Sequence, residues 1–295
     1  MEDAEDFEKF YSSKIQPYLD GLGKEASSAY NWKLFTLFTA IGTFVFFLLN
    51  YLKILPIGNI LAVTSLLMCI IGVYFTTKYA DRFLDDFKEK IIGQIITCIH
   101  PQAIYKPMGF VSKKEYKASG LFRRRFTKFD GDDYWQAVYN GIAFHCSEIN
   151  SWYQDTAGSE RIFKGLFFVA GINSSFTGGT YLWSKGDAQL PASIADERYR
   201  MYPLPQVKKM KTNHTEFDKT YSVYTSNSDE ASLILSCNMI EHILVIKNKL
   251  QKDIVFSFVA GKCYIAVPFE EDLLEPSRKG AGNKEKIKKY FYSVL

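Results

Sequence analysis

The residue types that most often carry catalysis are scattered along this chain. The four histidines are His100, His145, His214 and His242. His145 and Cys146 are adjacent in a stretch with strand character, so their side chains point to opposite faces of a sheet and cannot form a nucleophile–base pair. No two histidines have the i, i+4 spacing of a helical zinc site. The sequence therefore predicts no catalytic residue, metal or cofactor, and leaves open an enzyme whose site is assembled only by the fold.

Two short motifs have some features of ligand-binding loops. FDGDD, residues 129–133, offers three carboxylates, but a calcium loop needs a longer ligand series that ends in a bidentate glutamate. Gly178 and Gly179 could cradle a phosphate only if a helix followed them. They precede TYLW, whose β-branched and aromatic residues are typical of a strand. We therefore expect FDGDD to be a solvated turn ahead of a strand, and the glycines to be turn residues.

Basic residues cluster between Lys106 and Lys128. This segment holds eight basic residues and one acidic residue, Glu115, so its net charge is eight minus one, or +7. Such a cluster near a membrane can bind anionic lipid head groups if the domain folds back to the bilayer, and a solvated face is the other interpretation. Binding of nucleic acid is not predicted. The candidate lipid-contact residues are Lys113, Lys114, Lys117, Arg123, Arg124, Arg125 and Lys128.

Two long apolar runs precede this segment. Residues 34–52 and 54–77 carry no charge, and each is long enough to cross a hydrocarbon core of about 30 Å. Helices of a soluble core would have a polar face, whereas these runs are apolar on every face. We therefore expect two membrane-spanning helices. An anchor is favoured over a pore because neither run contains an ionisable group.

The connector between the runs, residues 53–59, is short enough for a tight helical hairpin. Basic residues flank the outer ends of the two runs, while the connector contains only Lys53. The positive-inside rule therefore places both termini in the cytoplasm. The five scattered cysteines are typical of a reducing compartment.

These features predict four regions. They are a cytoplasmic N-terminal segment (1–32), a transmembrane hairpin (33–78), a juxtamembrane amphipathic helix (79–100) stopped by His100-Pro101, and a cytoplasmic α+β domain (101–295). In the domain, the pair Asn140-Gly141 predicts a hairpin, and Ala260-Gly261-Lys262 predicts another. Strands that pair locally, without a βαβ rhythm, favour an antiparallel sheet with packed helices.

Other elements of the domain follow from apolar periodicity and capping. The strands 161–170 and 180–184 are expected to pair with each other, and a further strand is expected near 217–225. Ser228 is expected to cap a helix that runs to about Leu250. A charged C-terminal helix is expected from Asn283.

Several short segments resemble a bacterial family, domain-of-unknown-function family 3137. They are FKGLFF (163–168), EFDKTYSVYT (216–225), DEASLIL (229–235), SF (257–258), YIAV (264–267) and LLEP (273–276). The likeness covers most of residues 30–276, and the family is similar in layout, with two membrane helices before a cytoplasmic domain. The resemblance implies a multi-pass protein of the bacterial inner membrane and supplies no catalytic residue.

Together these features favour a membrane-anchored, non-enzymatic binding or scaffold module in the cytoplasm. Its expected partners are the bilayer, anionic head groups, and a protein partner or a second copy of the chain. The alternative is a membrane-perturbing or channel-forming oligomer built on the hairpin. Thr39 and Thr43 favour this alternative, because a small-xxx-small pair supports close helix packing.

Overall fold

The structure, a computed structural model, describes residues 9, 11–156, 158–172, 176–185 and 206–275. The chain divides into two units, one from Met1–Ile99 with Leu274–Leu295 and one from His100–Leu273. As predicted, the fold combines two long apolar helices with an antiparallel sheet and further helices. The helix predicted from Asn283 lies outside the described residues.

Two long helices form the N-terminal hairpin. A π-helical turn, Tyr11–Ile15, leads into α1, Gln16–Tyr51. The second helix, α2, spans Gly58–Phe87 and continues through a π-helical turn, Lys88–Ile92, into α3, Gly93–Ile99. This helical run ends directly before His100-Pro101, as predicted.

Small side chains form the contact between α1 and α2. The Ser65 hydroxyl donates a hydrogen bond to the Thr39 carbonyl oxygen at 2.8 Å. A Cβ atom added to Gly72 would lie 2.5 Å from Thr36 Oγ1, so the two backbones approach closely there. Such packing of small residues is typical of helix pairs in membranes. The small residues of α2 on this side are Gly58, Ala62, Ser65, Cys69, Gly72 and Thr76.

The large apolar side chains of the hairpin point outward. Phe38 and Phe44 on α1 are 70% and 68% exposed, and Ile60 on α2 is 67% exposed. A helix pair of a soluble protein would bury such residues. Both helices are also long and apolar enough to cross a membrane. The hairpin therefore indicates association with a membrane.

The second unit is built on a nine-stranded sheet. Its neighbouring strands are antiparallel, in the order β1-β2-β3-β4-β9-β8-β5-β7-β6. The strands are β1 (Ile104–Lys106), β2 (Lys128–Tyr139), β3 (Ile142–Asp155), β4 (Gly158–Gly171), β5 (Thr180–Ser184), β6 (Lys208–Met210), β7 (Tyr221–Thr225), β8 (Val255–Val259) and β9 (Lys262–Pro268).

The strand order confirms the two predicted hairpins and corrects one pairing. Asn140-Gly141 joins β2 to β3, and Ala260-Gly261 joins β8 to β9. The predicted pairing of β4 with β5 is wrong, because the β8–β9 hairpin inserts between them. β9 pairs with β4, and β8 pairs with β5.

Four further helices lie in the described residues of this unit. They are α4 (Lys113–Ala118), α5 (Thr215–Thr220), α6 (Ser228–Ile234) and α7 (Cys237–Leu250). The predicted helix from Ser228 to Leu250 is two helices, because Ser236 caps a new helix by accepting a hydrogen bond from the Met239 amide. Asn227 rather than Ser228 caps α6. The strand predicted near 217–225 is helical up to Thr220 and extended only in β7.

The sheet carries an apolar core on each face. The segment 111–126, which contains α4, covers one face, and α5, α6 and α7 contribute to the core on the other. The first core includes Tyr116, Leu121, Phe122, Phe163, Phe167, Tyr181, Trp183 and Tyr264. The second includes Leu182, Phe217, Val223, Ile240, Ile243, Phe256 and Phe258.

Gly165 in β4 leaves no room for a side chain, although Gly171 on the same strand does. At Gly165 the φ angle is +148°, and an added Cβ would collide with the Val267 carbonyl oxygen and lie 2.8 Å from the Phe269 nitrogen. At Gly171 the nearest atom would be the Ala143 oxygen at 3.8 Å. The glycine of the FKGLFF segment is therefore required by the approach of β9.

We expect Gly165→Ala to lower the free energy of unfolding by on the order of 2–4 kcal/mol, because it adds backbone strain to a clash with a neighbouring strand. Gly171→Ala, the matched control, should change it by less than about 0.5 kcal/mol. Denaturation of the full chain in detergent, followed by tryptophan fluorescence, measures both values. Equal stability of the two variants would contradict the close contact.

Candidate functional site

The segment 111–126 is held on the sheet by α4. The Ser112 hydroxyl caps α4 by accepting a hydrogen bond from the Glu115 amide, and it donates one to Glu115 Oε2, each at 3.2 Å. Tyr116 points to the sheet and is buried, with its hydroxyl 2.8 Å from Ser151 Oγ. The inward position of Tyr116 leaves Lys113 and Lys117 exposed.

The structure divides the seven candidate lipid-contact residues into two groups. Arg123 and Arg124 are half-buried. Arg124 forms an ion pair with Glu160 and lies 4.8 Å from the centre of the Tyr153 ring, while burial lowers the pKa of Arg123. The exposed residues are Lys113, Lys114, Lys117, Arg125 and Lys128.

The aromatic residues beside the three arginines face the core. Phe122 is 5% exposed and stacks on Tyr116 with ring centres 4.9 Å apart. Phe126 packs partly buried against the same core. Phe122 is therefore unavailable to enter a bilayer, so any lipid contact of this segment depends on its exposed cations.

A groove of about 440 Å³ crosses β2, β3, β4 and β9. Gln136, His145 and Val169 are register partners on three of these strands, so they lie side by side across the sheet. Two residues farther along the strands, on the same face of the sheet, lie Ala143 and Gly171. Because both are small, they leave open space at the floor of the groove. The groove is mostly apolar, and the polar or titratable residues in its lining are Gln102, Gln136, His145 and Lys262.

Three charged or titratable residues from separate elements meet at this groove. Glu115 Oε1, from α4, accepts a hydrogen bond from Lys262 Nζ of β9 at 2.9 Å and lies 3.3 Å from His145 Nε2 of β3. His145 and Lys262 line the groove. We refer to Glu115, His145 and Lys262 as the groove cluster.

The contact between Glu115 and Lys262 shifts the pKa values of both side chains. Burial alone would raise the pKa of the Glu115 carboxyl, but the hydrogen bond from Lys262 and the charges of His145 and Lys262 outweigh burial and hold the pKa below its usual value. The hydrogen bond to Glu115 in turn raises the pKa of Lys262. Glu115 is therefore a carboxylate and Lys262 an ammonium at neutral pH.

Two further residues, Tyr134 and Lys106, lie next to the groove cluster. The Tyr134 ring lies 5.6 Å from the His145 ring, and the Tyr134 hydroxyl donates a hydrogen bond to Gln136 Oε1 at 2.9 Å. Lys106 Nζ lies 6.0 Å from the centre of the Tyr134 ring. Tyr134 and Lys106 therefore lie behind His145 and Gln136, and Lys262 is the lysine among the described residues that lines the groove itself.

Sequence reasoning missed the groove cluster. It excluded a pair of His145 with Cys146 and gave His145 no other role, and Glu115 and Lys262 are 147 positions apart. The local signal available was the Ser112-x-x-Glu115 capping box, which places Glu115 in the first turn of α4. No local signal brings β9 next to β4, so the meeting of the three residues follows only from the strand order.

The other predicted features lie elsewhere. Cys146 is fully buried, and burial raises the pKa of its thiol, so it cannot serve His145 as a nucleophile. His214 caps α5 by accepting a hydrogen bond from the Phe217 amide, and His242 contacts the Asn238 carbonyl oxygen of its own helix. Among the described residues, His, Cys, Asp and Glu side chains form no group of three that could hold a metal ion.

Gly178 lies in a turn before β5, as predicted, and this turn holds a carboxylate of the same chain. The Gly178 amide donates a hydrogen bond to Glu230 Oε2 at 2.8 Å, and the Thr177 amide donates one to Oε1 at 3.2 Å. These bonds lower the pKa of Glu230. The loop therefore serves to fasten α6 to the start of β5.

The prediction that FDGDD forms a turn ahead of a strand is wrong. The segment is part of β2, which has a bulge between Asp132 and Trp135. Asp133 in this bulge is buried and accepts a hydrogen bond from the Tyr105 hydroxyl. Glu148 on β3 is 6% exposed and accepts a hydrogen bond from the Leu273 amide at 2.8 Å. Burial, together with the charges of Asp133 and Asp132, raises the pKa of Glu148 to about 8.

The raised pKa makes stability depend on pH. The folded state favours the protonated form of Glu148. The contribution of this protonated carboxyl to the free energy of unfolding is complete below its usual pKa of about 4.5 and is lost as the pH rises through about 8. Glu148→Gln removes this loss, and at pH 9 it should stabilise the protein by on the order of 2 kcal/mol relative to wild type. Near pH 5 the two proteins should differ little.

Chemical denaturation at pH 5, 7 and 9 measures this difference. Glu241→Gln, at an exposed position of α7, is the matched control and should show no such trend. If Glu148→Gln were no more stable than wild type at pH 9, Glu148 would be ionised in the folded protein without cost.

Comparison with known proteins identifies a family model. Residues 161–295 match the model described as Protein of unknown function (DUF3137), and the six segments that carry the resemblance lie in this range, so the predicted family is confirmed over these residues. The crystal structure of the mycobacterial trehalose monomycolate transport factor A, TtfA, is similar over 65% of this chain and 86% of that chain, with 10% sequence identity and a TM-score of 0.34. That score is too low to support an argument about fold or function. No curated protein matches the chain.

Proposed function

We propose that this chain, whose residues 161–295 belong to the DUF3137 family, is a membrane-anchored binding module rather than an enzyme. The hairpin of α1 and α2 is its anchor, and the sheet unit is its binding part. The observation that carries this proposal is the inverted packing of the hairpin, with small residues inside and large apolar residues outside.

The free energy of burial supports the anchor. Fully burying one large apolar side chain is worth about 1.5–3 kcal/mol. Leaving a whole layer of them in water would therefore be strongly unfavourable, whereas a bilayer core accommodates them and the helices satisfy their own backbone groups. The outward residues include Leu37, Phe38, Phe44, Phe47, Ile60, Val63, Leu67, Ile70 and Tyr74.

The groove supports a binding role for the sheet unit. Its size falls in the range of small-molecule sites, and its mostly apolar lining with a few polar groups is typical of them. His145 has Glu115 as its polar partner, and Cys146, its neighbour in sequence, is buried on the other face. This arrangement favours holding a ligand over attacking one.

The hairpin should cross the inner membrane of a bacterium with both ends in the cytoplasm, because basic residues flank its outer ends. A reporter fused after Leu295 should give a cytoplasmic signal, and one inserted between Lys53 and Asn59 should give an external signal. As a control, the two reporters are exchanged between the two fusion sites. A C-terminus on the external side would overturn the proposed topology.

The alternative, a membrane-perturbing oligomer of hairpins, is less well supported. The Thr39 carbonyl oxygen is the acceptor for Ser65 within the hairpin, and the Thr39 and Thr43 hydroxyls donate hydrogen bonds to carbonyl oxygens of their own helix. Thr39, the first residue of the small-xxx-small pair, therefore packs inside one hairpin and does not offer a seam for a second copy.

The exposed lysines of α4 favour a second role, contact with anionic lipid head groups. Lys113, Lys114 and Lys117 are exposed, whereas Arg124 is held by Glu160. Changing these three lysines to Gln should weaken binding to anionic vesicles by roughly a hundred-fold, because each basic group near an anionic surface contributes about 1 kcal/mol. Flotation of the full chain, held in neutral nanodiscs, with anionic vesicles measures this binding.

The matched control replaces three other exposed lysines, Lys208, Lys209 and Lys211, with Gln. It removes the same charge from another part of the sheet unit and should weaken binding much less. Added salt should weaken binding by wild type. If the two triple variants lost equal vesicle affinity, or if wild type did not bind the vesicles, the basic residues of α4 would form only a solvated surface.

A further inference from the structure

We propose that the groove across β2, β3, β4 and β9 binds a small carboxylate with a short apolar chain, and that Lys262 and His145 contact the carboxylate. This inference rests on the proposed binding role and names the chemical class of the ligand. It follows from the shape of the groove, from the Lys262 ammonium in its lining and from the position of Glu115.

The floor of the groove suits an apolar chain. It is low at Ala143 and Gly171, and Val138 and Val169 line it beside them. An added Cβ at Gly171 would meet only the Ala143 oxygen, at an ordinary van der Waals distance of 3.8 Å. The space above Gly171 is therefore available to a ligand, and a larger side chain at this position can fill it without a backbone clash.

The wall of the groove suits an anion. The Lys262 side chain is 41% exposed, and its hydrogen bond to Glu115 uses one of the three N–H donors of the ammonium. A ligand oxygen can accept another. His145, which also lines the groove, lies beside Lys262 and can contact the same ligand oxygen.

A carboxylate fits the wall better than a phosphate does. Phosphate sites usually present a run of free backbone amides at a helix N-terminus or a nest. The groove lies instead on paired strands, where Gly171 pairs with Lys262 and His145 pairs with Val169. One side-chain ammonium, Lys262, beside an apolar floor matches an anion that carries a single charge and an apolar chain.

Glu115 is positioned as an internal competitor for this anion. Its carboxylate holds Lys262 and faces His145, and the Ser112 hydroxyl donates a third contact to it at Oε2. A ligand carboxylate must share these donors with Glu115. Glu115→Gln removes the competing charge, and glutamine is itself a capping-box residue, so α4 keeps its cap. This variant should therefore bind the anion more tightly.

The test uses the full chain in neutral nanodiscs and three probes of equal chain length: hexanoate, hexylammonium and hexanol. Ligand-detected NMR titration measures binding, and Gly171→Leu, which fills the groove, gives the background from partition into lipid. Above that background, wild type should bind hexanoate. Lys262→Gln should weaken this binding about ten-fold, as expected for loss of one charge-assisted hydrogen bond, and Glu115→Gln should tighten it about three-fold or more.

The probes separate failure of the ligand class from failure of the groove. Tighter binding of hexylammonium than of hexanoate, or weaker hexanoate binding by Glu115→Gln, would overturn the carboxylate assignment and leave the groove as a site. Binding of all three probes unchanged by Gly171→Leu would overturn the groove as well. If Gly171→Leu is less stable than Gly171→Ala in denaturation, Lys262→Gln decides between these outcomes. The membrane topology is measured without any ligand, so it is judged separately.

Discussion

The burial of Tyr116 between α4 and the sheet is the contact on which the face with the groove depends. α4 has only six residues, too few to form a stable helix alone, because helix nucleation is costly. Its Ser112 cap and the packing of Tyr116 against Phe122 and Phe167 compensate for that cost. Once Tyr116 is fixed, the first turn of the helix places Glu115 beside the groove and turns the lysines to the outside.

Hydrogen bonds from irregular backbone complete this attachment. The Val111 amide donates a hydrogen bond to Ser147 Oγ at 2.9 Å, the Ser257 hydroxyl donates to the Ser119 carbonyl at 2.7 Å, and Trp183 Nε1 donates to the Leu121 carbonyl at 3.1 Å. These polar groups are buried, and each would cost about 1–3 kcal/mol if left without a partner. The segment 111–126 therefore has one favourable position on the sheet. The ion pair of Glu115 with Lys262 adds little stability at its partly exposed site, and its importance lies in where it holds the two charges.

Features encoded by neighbouring residues could be predicted, and features that depend on distant strands could not. Asn140-Gly141 specifies its hairpin locally, because both residues tolerate the positive φ angles of the turn. The pairing of β4 with β5 was wrong because the β8–β9 hairpin, about ninety positions beyond β4, lies between them. The same insertion brings Lys262 to the groove, so the groove cluster could not be found without the strand order. The basic residues were visible in the sequence, but only packing shows that Arg124 is engaged with Glu160 and Tyr153 while Lys113 is exposed.

The two units of the chain follow opposite packing rules, and this contrast indicates where specificity lies. In the hairpin, Gly72 and Ser65 face inward and Phe38 faces outward, whereas in the sheet unit large residues such as Trp183 are fully buried. A surface made only of large apolar side chains packs about equally well against lipid tails and against other apolar surfaces, so it gives little selectivity. Selective recognition needs polar groups in fixed places, and a small-molecule site combines a few of them with an apolar lining. Of these two regions the groove has that combination, so in the proposed function the hairpin would set where the protein resides and the groove would select its ligand.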